Sequence, residues 1–247
     1  LRLGHYPFRI LILLQKRNFM RIALTGNPNS GKTTMFNALT GRNEKVGNWA
    51  GVTVDKKEHQ IKKTFAGNEN IIAVDLPGAY SMSPFTNEES VTSSYVKQEN
   101  PDAIINIIDG TNIERNLYLT TQLIELGYPV VVAVNMIDLV RKNGDTIDLE
   151  KLSKSLGCIC AEISALKGEG GMAIAEKAVE LARNHSHTDR PHVFGGIVEH
   201  ALAHIEESIE SLVDRPFLRW YSIKLFERDE MVQQELGLSD ELLQHLE

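Results

Sequence analysis

Two hydrophobic rhythms run through the chain, and they divide it. Up to about residue 184, short apolar runs rich in β-branched residues alternate with stretches of helical period. The runs at 21–25, 71–74, 103–108, 130–134 and 159–163 read as strands, and part of 52–64 reads as a sixth. Between them, 32–40, 88–98, 113–126, 149–156 and 172–183 carry the 3.6-residue repeat of helices. Strands that are apolar on every position are covered on both faces, and their alternation with helices predicts parallel pairing. The expected fold is α/β: a mostly parallel six-stranded sheet with helices on both faces.

Beyond Asn184 the pattern changes. "HSHTDRPH" is a polar connector, and no strand pattern follows it. Ile197, Ala201, Leu202, Ile205, Ile209 and Leu212 fall at helical spacing, with Glu206, Glu207 and Glu210 between them. A second helix is expected over 217–228, and a third begins at Ser239, a suitable N-cap for "DELLQHLE". The expected organisation is therefore an appended or upstream segment at 1–19, an α/β domain at 20–184 and an all-helical domain at 185–247. Met20 reads as the natural start. The apolar core "ILILL" before it is short for a signal peptide, and basic "QKR" follows where small residues would precede cleavage. The last helix stops with the sequence, which points to a longer polypeptide.

Composition narrows the function classes. Hydrophobic residues make up 42% and charged residues 24%, as in an ordinary globular protein. The net charge of −7 is unevenly spread. From Asp189 onward there are 13 acidic and 5 basic residues, leaving 20 acidic against 21 basic in the rest. Neither part has the basic face of a nucleic-acid binder. No run approaches the roughly 18 apolar residues of a membrane span. Cys158 and Cys160 read as reduced small core residues on one strand.

The chemistry is concentrated in three places. "GNPNSGKT", Gly26 to Thr33, fits G-x-x-x-x-G-K-[ST] between a strand and a helix. The glycines let the loop of Gly26, Asn27, Pro28, Asn29, Ser30 and Gly31 turn its backbone N–H groups, which Pro28 lacks, toward phosphate oxygens, and the helix start at Lys32, Thr33 and Thr34 adds its positive end. Lys32 reaches the β- and γ-phosphates, and the Thr33 hydroxyl suits Mg²⁺. "DLPG" follows a strand: Asp75 can hold the Mg²⁺ through a water, and the Gly78 N–H can face the γ-phosphate. "NMID" follows "VVVAV": the Asp138 carboxylate can accept from N1–H and the exocyclic amine of guanine, donors that adenine does not offer in that arrangement. Asn135 and Met136 complete this motif, and "SALK" places Ser164, Ala165 and Leu166 for a backbone contact to the guanine oxygen. The expected ligands are GTP or GDP and Mg²⁺.

This ordered set resembles the P-loop GTPases over residues 20–184. Together with "VGNWAGVTVDKK" at 46–57 and "DLPGAYSM", it is similar to the cytosolic G domain of the ferrous iron transport protein B (FeoB) family. Ala50 departs from the proline usual after the tryptophan. The resemblance implies an iron(II) uptake protein in which a small helical domain follows the G domain and leads to a membrane transport domain of the same polypeptide, on the cytoplasmic side of the bacterial inner membrane. It leaves open small accessory iron-transport proteins and a homo-oligomer. It implies that Gly51, Val52 and Thr53 form switch I, with Thr53 closing on Mg²⁺.

Ala79 and Tyr80 stand where related GTPases orient water with glutamine, so unaided hydrolysis is expected to be slow. Asn29 could hold a monovalent cation against the phosphates. The resemblance implies K⁺ there, its shell completed by the backbone at Gly47 and Trp49. The alternative is that Asn29 only braces the loop. As another function class, a soluble GTPase of RNA or ribosome biology would want a basic appendage, where this chain has an acidic one. His200 and His204, four residues apart, read as a solvent-facing pair in the absence of an evident third metal ligand.

Overall fold

Each expected strand lies in one sheet. The structure is a computed structural model and describes residues 19–41, 45–49, 54–165, 167–184 and 194–246. In chain order the strands are β1 (Met20–Gly26), β2 (Lys45–Asn48), β3 (Asp55–Gln60), β4 (Ile71–Asp75), β5 (Ala103–Asp109), β6 (Val130–Asn135) and β7 (Ile159–Glu162). The helices are α1 (Lys32–Thr40), α2 (Lys63–Ala66), α3 (Asn87–Glu99), α4 (Ile113–Glu125), α5 (Ile137–Lys142), α6 (Leu149–Leu156) and α7 (Gly171–Asn184). They are followed by α8 (Gly196–Ile209), α9 (Leu218–Phe226), α10 (Glu230–Leu236) and α11 (Asp240–Leu246).

The sheet order is β2-β3-β4-β1-β5-β6-β7. β1 pairs in parallel with β4 and β5, and the parallel set continues through β6 to β7. β2 and β3 form an antiparallel extension at one edge, so the six expected strands are joined by a short seventh. β1, β5 and β6 are central, which is why their sequences are apolar on both faces. One face packs on Met35, Phe36 and Leu39 of α1 and on Ile174, Ala178 and Val179 of α7. The other packs on Tyr95 and Val96 of α3 and Leu119 and Leu123 of α4.

That second core continues without a break into the C-terminal helices through Ile205, Ile209, Trp220, Tyr221, Leu225 and Val232. Trp220 is fully buried. The expected third helix is α11, where Ser239 Oγ accepts from Leu242 N at 3.2 Å. Between it and α9 lies α10, a helix the periodicity did not reveal, capped by Asp229 on the N–H groups of Met231 and Val232. The connector at 185–193 and the opening residues 1–18 lie outside the described residues.

Candidate functional site

The C-terminal ends of the parallel strands carry the three motifs to one edge of the sheet, where α/β folds of this kind bind ligands. β1 ends at Gly26 and delivers the glycine-rich loop. Gly31 has φ 93°, and a Cβ there would lie 2.2 Å from Asn135 Nδ2. Only glycine lets the loop pass this close to the end of β6. Asn135 is buried and holds two loops with one amide. Its Nδ2 donates to Ser30 O (2.8 Å), and its Oδ1 accepts from Ala165 N (3.0 Å). Asn135, the first residue of the base-recognition motif, thus braces the glycine-rich loop against the Ser164–Ala165 turn.

α1 starts at Lys32 behind Gly31, which offers no side-chain cap, and its first turn holds no acid. The first N–H groups of the helix are thus left for an anion, in a field that favours one. Lys32 Nζ lies 2.8 Å from Asp75 Oδ1, and Thr33 Oγ1 donates to Asp75 Oδ2 at 3.1 Å. Asp75, at the end of β4, is 6% exposed. Two hard oxygen donors this close can serve one small cation such as Mg²⁺. Inside the loop, Ser30 Oγ and both amide atoms of Asn27 are buried without partners among the described residues, polar capacity that a bound oxyanion group would meet. Asn29 is exposed with φ 67°, and among the described residues no hydrogen bond engages its amide.

Gly78 lies against the loop: a Cβ there would meet Pro28 atoms at 3.0–3.1 Å. Ala79 N donates to Gly26 O at 3.2 Å, which fixes the start of the segment that follows. The Tyr80 ring sits on the surface with the Arg115 guanidinium 4.2 Å above it. Glu89 then pins the loop from α3. Its carboxylate accepts from Tyr80 N and Phe85 N, both at 3.0 Å, while its own N–H bonds Thr86 Oγ1 at 3.2 Å. The T-x-x-E spacing from Thr86 is the sequence signal for this role, since it marks a capping box whose glutamate reaches back to main-chain donors.

At the base-recognition end, Met136 takes the left-handed conformation (φ 61°) as N-cap of α5, which turns Asp138 onto the first turn. Lys167 Nζ approaches Asp138 Oδ2 at 3.8 Å, and Lys167 N bonds Ser164 O at 3.1 Å. Asp138, Asn135, Ser164 and Ala165 are thus drawn together; Leu166, Gly51, Val52 and Thr53 lie outside the described residues. Gly47 pairs with Lys56 in the β2–β3 ladder. Trp49 is half-buried, edge-on to Tyr95 of α3 with ring centroids 5.4 Å apart. His200 and His204 are exposed with ring centroids 4.9 Å apart, and no three-ligand metal cluster occurs among the described residues. No described helix is long and apolar enough to cross a membrane.

Residues 20–178 match the family model described as ferrous iron transport protein B, and 194–247 match that of the FeoB cytosolic helical domain. The chain belongs to the ferrous iron transport protein B family. It is 38% identical over 216 residues to the Fe(2+) transporter FeoB of Escherichia coli K12, covering 85% of this chain and 27% of that protein. It is 38% identical over 224 residues to an Fe(2+) transport protein A/FeoB fusion protein of Porphyromonas gingivalis, covering 88% of this chain and 26% of that one. The chain therefore spans about a quarter of the length of these FeoB relatives. Among solved structures, S. thermophilus NFeoB bound to GDP·AlF4⁻ and K⁺ superposes with a TM-score of 0.78 at 43% identity, covering 92% of this chain and 87% of that one. A GDP-bound mutant of the S. thermophilus FeoB G domain gives a TM-score of 0.84 at the same identity, covering 92% and 87%. The fold is that of a P-loop GTPase followed by helices.

Proposed function

We propose that this chain binds GTP with Mg²⁺ and hydrolyses it slowly, with stimulation by K⁺, as the nucleotide-controlled part of a longer ferrous iron transporter. The observation that carries this reading is the convergence of Lys32, Thr33 and Asp75 beside an uncapped helix start, with Asp138 and the Ser164–Ala165 turn on the other side of Asn135. Lys32 neutralises β- and γ-phosphate oxygens, and the loop N–H groups from Asn29 to Thr34 cradle them. Thr33 and Asp75 would hold the Mg²⁺, joined by Thr53 as the family resemblance implies, and the ion would supply charge neutralisation on the phosphates. Asp138 reads guanine, Met136 packs against the base, and Ser164 to Leu166 offer the guanine oxygen a main-chain donor.

Hydrolysis here depends on positioning, because the side chains following Gly78 are Ala79 and Tyr80. The Gly78 N–H is suited to face the γ-phosphate, and the close approach of Gly78 to Pro28, where a Cβ would meet atoms at 3.0–3.1 Å, would hold it beside the loop. Asn29, exposed and otherwise unengaged, is the group suited to direct K⁺ toward the phosphates, with main-chain carbonyls near Gly47 and Trp49. The K⁺ of the S. thermophilus neighbour supports that assignment. The G domain would span 20–184 and the helical domain 185–247, the latter leading to a membrane transport domain of the same polypeptide, with this chain on its cytoplasmic side. A small iron-transport protein is a partner class supported by the P. gingivalis fusion. The test is GTP turnover in KCl against NaCl: stimulation by K⁺ that Asn29→Ala abolishes is expected. Equal rates in both salts, or a variant that keeps its response, would overturn the potassium role.

A further inference from the structure

The helical part of the chain carries a group of donors that the nucleotide chemistry does not use. α8 divides its sides between three surroundings. Leu202, Ile205 and Ile209 are buried in the core. Glu199 holds Arg219 of α9 in a two-pronged ion pair, with both N–O distances 2.8 Å, and Glu206 approaches the same guanidinium at 3.9 Å. These two carboxylates are committed to Arg219, and with the buried residues they fix α8 firmly against α9.

The remaining side faces solvent. Each residue of a helix turns by about 100°, so His200, His204 and Glu207 fall within a sector of about 60°. All three are exposed. Among the described residues no hydrogen bond or ion pair engages either imidazole or the Glu207 carboxylate. The helix thus presents two imidazoles and a carboxylate in the order H-x-x-x-H-x-x-E.

The two imidazoles already stand at a spacing that suits a shared ion. Their ring centroids are 4.9 Å apart, and the rings are steeply inclined at 67° rather than stacked. With metal–nitrogen bonds of about 2.1 Å, each ring centre lies about 3.2 Å from the ion, and the observed spacing corresponds to an N–metal–N angle of about 100°. That value falls between the octahedral and tetrahedral angles. No three-donor group is closed among the described residues, so the histidine pair is the anchor and Glu207 would join by turning its side chain. Imidazole suits Zn²⁺, Fe²⁺ and their first-row neighbours, and two histidines with one carboxylate is a donor set of Fe²⁺ sites that keep open positions. Mg²⁺ prefers oxygen donors throughout.

We propose that His200 and His204, with Glu207, form a surface site on α8 for a first-row divalent transition-metal ion such as Fe²⁺ or Zn²⁺. The site is separate from the Mg²⁺ position at Thr33 and Asp75, and it rests on no part of the nucleotide reading. All three donors stand on one helix held by its buried face, which pre-organises them. Water fills the other coordination positions, so the ion exchanges directly with solution.

The experiment uses the 247-residue chain freed of metal with EDTA and then dialysed. It is titrated by calorimetry with ZnCl₂ and, without oxygen, with FeSO₄, and MgCl₂ serves as the control. Expected is one ion per chain for both transition metals, Zn²⁺ the tighter as their intrinsic order requires, and no comparable binding of Mg²⁺. His200→Ala and His204→Ala should each lower the affinity by about tenfold or more, since even the partner that supports a ligand is worth about 10–100-fold. Glu207→Gln should lower it by a smaller factor. The three positions are exposed, so circular dichroism should show the helix content of each variant unchanged. In proton NMR, the two imidazole C2–H signals that these histidine variants lack should be the first to move as Zn²⁺ is added. Absence of Zn²⁺ binding, binding that survives both histidine substitutions, uptake of Mg²⁺ as readily as Zn²⁺, or one ion shared by two chains would each overturn the proposal.

Discussion

At the scale of single residues, Asp138→Ala is expected to weaken GTP binding by about 10²–10⁴-fold. It removes two hydrogen bonds to a charged group worth about 1.5–3 kcal/mol each, and equilibrium titration with mant-GTP measures the loss. Lys32, Thr33, Asp75 and Asp138 stand in patterns short enough to read along the chain, because what they offer depends on residue type at fixed spacing. Glu89, Lys167 and Arg115 act through partners that only folding supplies: main-chain N–H groups of Tyr80 and Phe85, the Asp138 carboxylate, and the Tyr80 ring. Glu89→Ala should leave guanine affinity within a few-fold while accelerating amide hydrogen exchange at Tyr80 and Phe85, because those donors lose their acceptor. Unchanged exchange at both would show that the loop holds itself.

At the scale of elements, the strands read best where they are central. β1, β5 and β6 are apolar on both faces, so burial wrote itself into their sequences. β3, "DKKEHQ", has no apolar residue; pairing with β4 overrides its composition, and the expectation of a strand somewhere in 52–64 could not place its ends. β2, "KVGN", is too short to show a period. Its pairing comes from β3, not from its own residues. α10 is seven residues long and carries one buried side chain, Val232, so its periodicity was faint while its Asp229 cap was plain. Gly78→Ala tests the contact between the "DLPG" segment and the loop. A methyl 3.0–3.1 Å from Pro28 atoms must push the two apart, and turnover should fall by about tenfold or more, since misplacement of reacting groups by an ångström costs about a hundredfold. Nucleotide affinity should change far less.

At the scale of the whole molecule, the C-terminal helices are bonded to the segment after "DLPG" as well as packed on it. Ser83 Oγ donates to Asp229 Oδ2 at 2.7 Å, and the other oxygen of Asp229 caps α10. Lys97 of α3 lies 4.3 Å over the Trp220 ring and 3.0 Å from Glu235. Asp229→Ala should lower stability by about 1–2 kcal/mol through the lost cap, whereas Ser83→Ala, which spares the cap, should cost less in the same denaturation assay. Glu125 of α4 sits under α9, where burial raises its pKa from 4.5 to about 7. Arg219 and Lys224 lower it and Glu227 raises it. The native form then binds this proton more tightly than the unfolded chain, so the contribution of Glu125 is fullest below pH 4.5 and is lost as pH rises to about 7. Glu125→Gln should flatten that part of the stability profile. The contacts of Ser83 with Asp229 and of Lys97 with Trp220 and Glu235 have no sequence signature, because each joins residues far apart in the chain.

The central claim, that one pocket joins a triphosphate cradle to a reader of guanine, is met most directly by competition binding. With Mg²⁺ present and mant-GTP bound, unlabelled GTP should displace the probe at concentrations at least about a hundredfold below those of ATP, the discrimination a buried polar reader gives. Displacement by ATP as readily as by GTP would contradict the account.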